Sequence, residues 1–260
     1  MRLRDKICVV TGGASGIGRA ISRKFAAEGA HGVVADLDGT GAETVAREVA
    51  GVAMPTDVRD EAAVRALILR VEREVGPIDL VCNNAGIAIA GGPEVPTAGW
   101  QRMWEINVMS HVWTADAALP AMLARGAGYF VNVASAAGLI TQVGSAPYAV
   151  TKHAAVAFAE WLTMTYGERG IRVSCVCPLG VRTPMLHCIG GDKLTALLSP
   201  DAIEPEEVAL AIVAGIEREE FLVLPHPKVR EFVRRKWDDN ERWLKGMRRL
   251  NAEYGPGAVP

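Results

Sequence analysis

Short runs of β-branched and aliphatic residues recur along the chain, each followed by a longer stretch whose apolar positions fall three and four apart. ICVVT (7–11), GVVAD (32–36), GVAMP (51–55), DLVCN (79–83), YFVNVAS (129–135), RVSCVCP (172–178) and FLVLP (221–225) read as strands. Helical spacing fills 16–28, 40–49, 60–75, 98–124, 147–168 and 205–218. The strand runs are apolar throughout, as a parallel sheet covered on both faces requires. Alternation of this order predicts a doubly wound α/β sheet with right-handed crossovers.

Beyond 225 the pattern predicts one more amphipathic helix, with Val229, Phe232, Val233, Trp237, Trp243, Met247 and Leu250 along one stripe. Its other face carries nine Lys/Arg against four Asp/Glu between 226 and 250. The basic face is expected to be solvated while the stripe packs over the substrate loop or a neighbouring subunit. The last residues, AEYGPGAVP, are expected to be irregular.

Composition narrows the classes. The chain has 260 residues, half of them hydrophobic, enough for one sizeable core, so residues 1–260 are expected to form one domain with a helical extension from about 226. A formal net charge of −2 gives no reason to expect nucleic acid as a partner. No apolar run reaches about 20 residues, so no membrane span is expected. The opening MRLRDKICVVTGG breaks into glycines too soon for a signal peptide. Cys8, Cys82, Cys175, Cys177 and Cys188 are odd in number, and four lie in apolar runs; buried thiols in a reducing cytoplasm are expected. No CxxC pair occurs and the five histidines are scattered, so no metal site is expected.

The strongest local signal is TGGASGIGRA, between the first strand and the first helix. Gly12, Gly16 and Gly18 permit a tight turn and bring bare backbone to a pyrophosphate at a helix N-terminus. Asp36 stands 18 residues after Gly18, at the end of the second strand, where a carboxylate accepts from a ribose and repels a 2′-phosphate. Leu37 follows it where an arginine would favour that phosphate, and Ser15 supplies no charge before Gly16; NAD is therefore expected over NADP. Further polar or glycine-rich signals end the later strands: Asp57 and Val58, NNAG with Asn84, Ala85 and Gly86, Ser135, and PLGVRT. The ligand crevice of an open parallel sheet lies outside that carboxyl edge.

TGGASGIG, NNAG, Asn107, Ser135, YAVTK and CPLGVRT together resemble the short-chain dehydrogenase/reductase superfamily, in its single-domain branch, over residues 5 to about 225. The resemblance implies a Rossmann sheet of order 3-2-1-4-5-6-7, a nicotinamide cofactor held also by Ile17, and a homotetramer or homodimer. It implies Tyr148 as general acid/base and Ser135 as hydrogen-bond partner of the substrate oxygen. Lys152 would hold the nicotinamide ribose and Asn107 would complete a proton relay. Pro178, Val181 and Thr183 match contacts to the nicotinamide carboxamide, although Leu179 stands where the family has glycine. Tyr148 and Lys152 share one helical face, and a nearby ammonium is expected to lower the phenol's pKa.

The expected reaction is interconversion of a secondary alcohol and a ketone. The segments 87–93, 136–143 and 184–198 are mostly apolar, which favours a hydrophobic alcohol, with Gln142, His187 and Cys188 as minor polar candidates. Gly190 and Gly191 suggest a lid. A 3-oxoacyl reductase and a non-catalytic NAD-binding regulator are the alternatives. Trp100, Trp104, Trp113 and Trp161 are expected in the core or between subunits.

Overall fold

In the computed structural model, which describes residues 1–187 and 191–254, the alternating runs fold into one seven-stranded parallel sheet. The strands are β1 Ile7–Thr11, β2 His31–Asp36, β3 Val52–Pro55, β4 Leu80–Asn83, β5 Gly128–Val133, β6 Ile171–Val176 and β7 Leu222–Val223. Their order is β3-β2-β1-β4-β5-β6-β7, with every pairing parallel. Cys188, Gly190 and the tail 255–260 lie outside the described residues.

Alternation within the strands separates two cores. Val9, Val33, Val81 and Phe130 pack with α3 (Glu61–Glu74), α5 (Ser110–Arg125) and α7 (Ala146–Tyr166). Their neighbours Cys8, Val10, Cys82 and Val131 face the opposite layer, with α1 (Gly16–Ala27) and α9 (Pro205–Arg218). The helix α2 (Gly39–Glu48) closes over Val34. Covering both faces explains why no strand alternates with polar residues. Cys8, Cys82, Cys175 and Cys177 are free and buried, as expected for apolar-run thiols.

Two predicted helices are each two. The stretch 98–124 divides into α4 (Thr97–Trp104) and α5, joined by a π-helical turn at Glu105–Met109 that carries Asn107. The C-terminal helix divides into α10 (Lys228–Asp238) and α11 (Asn240–Tyr254) at Asp239, whose backbone is extended and whose carboxylate accepts from the Arg242 amide. Asp239 ends one helix and caps the next. The break takes Trp237 out of the predicted stripe; it is 79% exposed. Val229, Phe232, Val233 and Trp243 remain in the stripe and pack on Ala136, Ile140 and Leu179, beside the segment that follows Ser135. The short α6 (Ala137–Ile140) and α8 (Gly191–Leu198) have too few turns to be seen by periodicity. The long-helix tryptophans are not core residues: Trp104 and Trp161 are exposed and Trp100 and Trp113 half-buried.

Among the described residues no helix is long and apolar enough to cross a membrane.

Candidate active site

The carboxyl ends of β1, β2, β4, β5 and β6 open on a cavity of about 430 Å³. Gly12, Ser15, Gly16 and Ile17 form one end, with Asp36, Leu37, Asp57 and Val58 beside them. Asn84, Ala85 and Gly86 lie along its length, and Ser135, Tyr148, Lys152, Pro178, Val181 and Thr183 form the other end. Gly18 and Asn107 stand behind this wall, not on it.

The glycine turn is shaped by contact. Gly12 has φ +64 and Gly16 φ +50, and a Cβ on Gly12 would lie 2.8 Å from the Ala85 Cα. A Cβ on Gly18 would meet the Gly12 carbonyl oxygen at 1.9 Å, so its bare backbone is what lets α1 close on the turn. Thr11 ties the turn to β4: its hydroxyl accepts from the Asn84 and Ala85 amides at 3.1 and 3.2 Å. The Asn84 side chain donates to the Thr11 and Gly12 carbonyls at 3.0 and 3.1 Å, bracing the turn from the other side. No side chain caps α1, so its first amides are open to an anion at the cavity wall.

Asp36 serves the same turn. Its carboxylate accepts from the Ala14 amide at 2.9 Å and from the Asp38 amide at 3.0 Å, and still lines the cavity. Asp57 is engaged by Arg59, whose guanidinium hydrogen bonds hold that carboxyl below its ordinary range. Bare backbone at an uncapped helix N-terminus, an acid at the end of β2 and an elongated cavity suit a dinucleotide without a 2′-phosphate.

At the far end Tyr148 begins α7. Ser145 caps this helix by accepting from the Tyr148 amide at 3.3 Å, and its hydroxyl donates to the Ile89 carbonyl at 2.5 Å. Pro147, in the first turn, sacrifices no helical hydrogen bond. Ser135, Tyr148 and Lys152 are all buried. The phenol and Ser135 line the same end of the cavity, and the Lys152 ammonium lies 5.7 Å from the ring centroid while donating to the Val133 carbonyl at 3.0 Å.

The electrostatics differ from the sequence expectation. Burial pushes the Tyr148 phenol above its ordinary value, and the neighbouring Ser135 hydroxyl opposes that rise. Lys152 is over the ring, engaged with a carbonyl, and is not what moves the phenol. Burial instead lowers Lys152 itself, to about 8. His111, fully buried, is lowered to about 3 by desolvation and, to a smaller extent, by the Lys152 charge. It is therefore a neutral imidazole at physiological pH.

Among the described residues no hydrogen bond links Asn107 to Tyr148 or Lys152. Its side chain pairs reciprocally with Ile87, accepting from the amide at 2.9 Å and donating to the carbonyl at 3.0 Å. It also donates to the Thr151 hydroxyl at 3.1 Å. Thus Asn107 fixes the strand-end loop against α7. Asn107→Ala is expected to cost about 2–4 kcal/mol, because a buried side chain is removed and two half-buried backbone groups lose their partner. Urea unfolding of the two proteins would measure it, and a difference below about 0.5 kcal/mol would disprove the bracing role.

Sequence reasoning missed Thr11, Thr151 and Leu179 as a wall residue, whereas Met185 and Leu186 lie in the expected apolar segment 184–198 and do line the cavity. Thr11, the last residue of β1 before the glycines, was legible in principle.

A protein-family model described as short chain dehydrogenase matches residues 6–193. A 1-deoxy-11-beta-hydroxypentalenate dehydrogenase of Streptomyces exfoliatus is 35% identical over 92% of this chain and 90% of its own length. A cis-4-hydroxycyclohexanecarboxylate dehydrogenase of Sinomonas cyclohexanicum is 36% identical over 80% and 88%. Among solved structures, a short chain dehydrogenase/reductase from Burkholderia phymatum in complex with NAD superposes with a TM-score of 0.84 at 27% identity, covering 93% of this chain and 96% of that one.

Proposed function

The chain belongs to the short chain dehydrogenase family, and from that premise we propose that it is an NAD-dependent dehydrogenase of a hydrophobic, alicyclic secondary alcohol. The observation that carries this reading is one cavity with a bare glycine turn and Asp36 at one end and Ser135, Tyr148 and Lys152 together at the other.

NAD supplies a hydride acceptor when it is bound. The chain's residues do the rest. Tyr148 takes the proton of the substrate hydroxyl, or returns it to the ketone oxygen in the reverse direction. Ser135 donates to that oxygen and stabilises the charge developing on it. Lys152 keeps a positive charge beneath the phenol ring, and Asn107, through Ile87 and Thr151, fixes the helix that carries both. Ile87, Ala137, Leu179, Met185, Leu186 and Leu198 exclude water and favour an apolar ring. Both curated relatives are named for hydroxylated carboxylates, which makes cyclic hydroxy acids the first members of a test panel.

Oxidation of such alcohols with NAD⁺, followed as NADH absorbance, tests the reading. Turnover of none of them, with NADH still bound, would favour the non-catalytic alternative. Asp36 predicts that kcat/KM with NAD⁺ exceeds that with NADP⁺ by about a hundredfold or more, because a carboxylate facing a phosphate costs several kcal/mol. Pairing Asp36→Ser with Leu37→Arg should narrow that ratio. A wild type that prefers NADP⁺ would refute the cofactor assignment.

A single-domain, cytoplasmic homo-oligomer completes the reading. Val150, Trp161 and Met164 are large apolar residues exposed along α7, which supports self-association through the long helices.

A further inference from the structure

His226, between β7 and α10, is buried and uses both ring nitrogens on one turn of backbone. The Leu179 amide approaches Nδ1 at 3.1 Å, and Nε2 lies 3.1 Å from the Gly180 carbonyl oxygen. The amide can only donate and the carbonyl can only accept. The pair therefore fixes a neutral imidazole carrying its proton on Nε2. Pro178, Leu179 and Gly180 line the cavity beside Tyr148. Leu179 also joins the apolar cluster of Val229, Phe232 and Trp243, so the C-terminal helices reach the cavity through this turn. The Ala136 amide donates to the Pro178 carbonyl and the Ile203 amide to the Gly180 carbonyl. Only His226, among the described residues, serves the Leu179 amide.

We propose that His226 is a positioning residue: as the neutral imidazole it clamps the 178–180 turn in the geometry that receives the nicotinamide half of the cofactor, and protonation releases that clamp. The inference rests on the dinucleotide reading given above. It also gives a reason why Leu179 can stand where the family resemblance implies glycine, since the turn is held from outside by His226 from the C-terminal segment.

The charge logic has a definite sign. An imidazolium would set an N–H against the Leu179 N–H, so the turn favours the neutral ring. Desolvation moves His226 in the same direction, below the ordinary 6.5. The charged groups facing it are Lys228, on α10, and Asp201, in the turn before α9, which form an ion pair with each other. Lys228 acts downward, while the Gly180 carbonyl and Asp201, through its backbone and its carboxylate, act upward. The clamp is complete at neutral pH and is lost as pH falls through the lowered folded value.

Three proteins test this: wild type, His226→Gln and His226→Ala. Glutamine keeps an acceptor and a donor on one carbon, as imidazole does, but does not titrate. NADH affinity is read by fluorescence titration at about pH 7.5 and about pH 5.5, and amide exchange of the peptide spanning 177–186 is read without nucleotide. Wild type should bind NADH measurably more weakly at the lower pH, by up to about tenfold as the ring becomes protonated, the loss of one buried hydrogen bond. The Gln variant should match wild type within about threefold at neutral pH and show no acid loss. The Ala variant should be about tenfold weaker at both pH values, with faster exchange at the turn. An Ala variant with wild-type affinity and exchange would overturn the proposal, as would a Gln variant with the wild-type acid loss. If Ala does not fold, the Gln comparison decides. Wild type failing to bind NADH at neutral pH would sink the cofactor reading, whereas the exchange result speaks to the clamp alone.

Discussion

Replacing Tyr148 with phenylalanine is expected to lower kcat for alcohol oxidation by about 10³–10⁴-fold while NADH still binds within about threefold of wild type. The substitution removes one oxygen and keeps the ring that packs against Met103 and Ala137. Lys152 retains its bond to the Val133 carbonyl, so the floor of the cavity survives. What disappears is the group that exchanges a proton with the substrate oxygen. Because burial raises the phenol, alcohol oxidation by wild type should climb as pH rises toward that raised value, and ketone reduction should fall over the same interval. The Phe variant should lose that dependence together with its rate. Steady-state kinetics in both directions across pH, with NADH titration of the variant, would check this. Activity persisting within tenfold of wild type would remove Tyr148 from the mechanism.

The parts of this protein that were legible in its sequence are those where a local pattern has one physical solution. Apolar runs bounded by helical spacing can be buried only in a covered parallel sheet, and seven of them predicted the seven strands. The glycine turn was legible because φ values of +64 and +50 at Gly12 and Gly16 favour that residue. The π-turn at Asn107 was not legible from spacing, since one added residue leaves the surrounding apolar pattern almost unchanged and 98–124 reads as one helix; only the family resemblance implied a kink there. Asp239 hid in the same way, as a polar residue on a polar face that breaks the helix only through its own backbone.

The direction of the Tyr148 shift failed for a different reason. Four-residue spacing shows that Lys152 is near, but not that the site is dry or that a carbonyl already holds the ammonium. Desolvation is a property of the whole cavity. The bond from Leu179 to His226 spans 47 positions and could not be read before the sheet brought β6 and β7 together.

Gly18→Ala should weaken NADH binding by about a hundredfold or more and destabilise the fold by about 2–4 kcal/mol, although Gly18 does not line the cavity. The added methyl would sit 1.9 Å from the Gly12 carbonyl oxygen and 2.6 Å from the Asn84 side-chain nitrogen, Nδ2. Two of the three nearest atoms are backbone, so relief requires either α1 to back away or the Gly12 peptide to turn. The first moves the helix N-terminus off the pyrophosphate position, and the second breaks the Asn84 brace. Both act on the nucleotide end and leave Ser135 and Tyr148 in place. Gly126→Ala is the contrasting control. Gly126, unlike Gly18, has a positive φ, +65, and a Cβ there meets nothing within 4 Å. It should cost only about 1 kcal/mol and leave NADH affinity unchanged. Urea unfolding and NADH titration of the two variants separate backbone strain from steric intrusion. If Gly18→Ala binds NADH as wild type does, the close approach of α1 to the turn is not what forms the nucleotide end of the cavity.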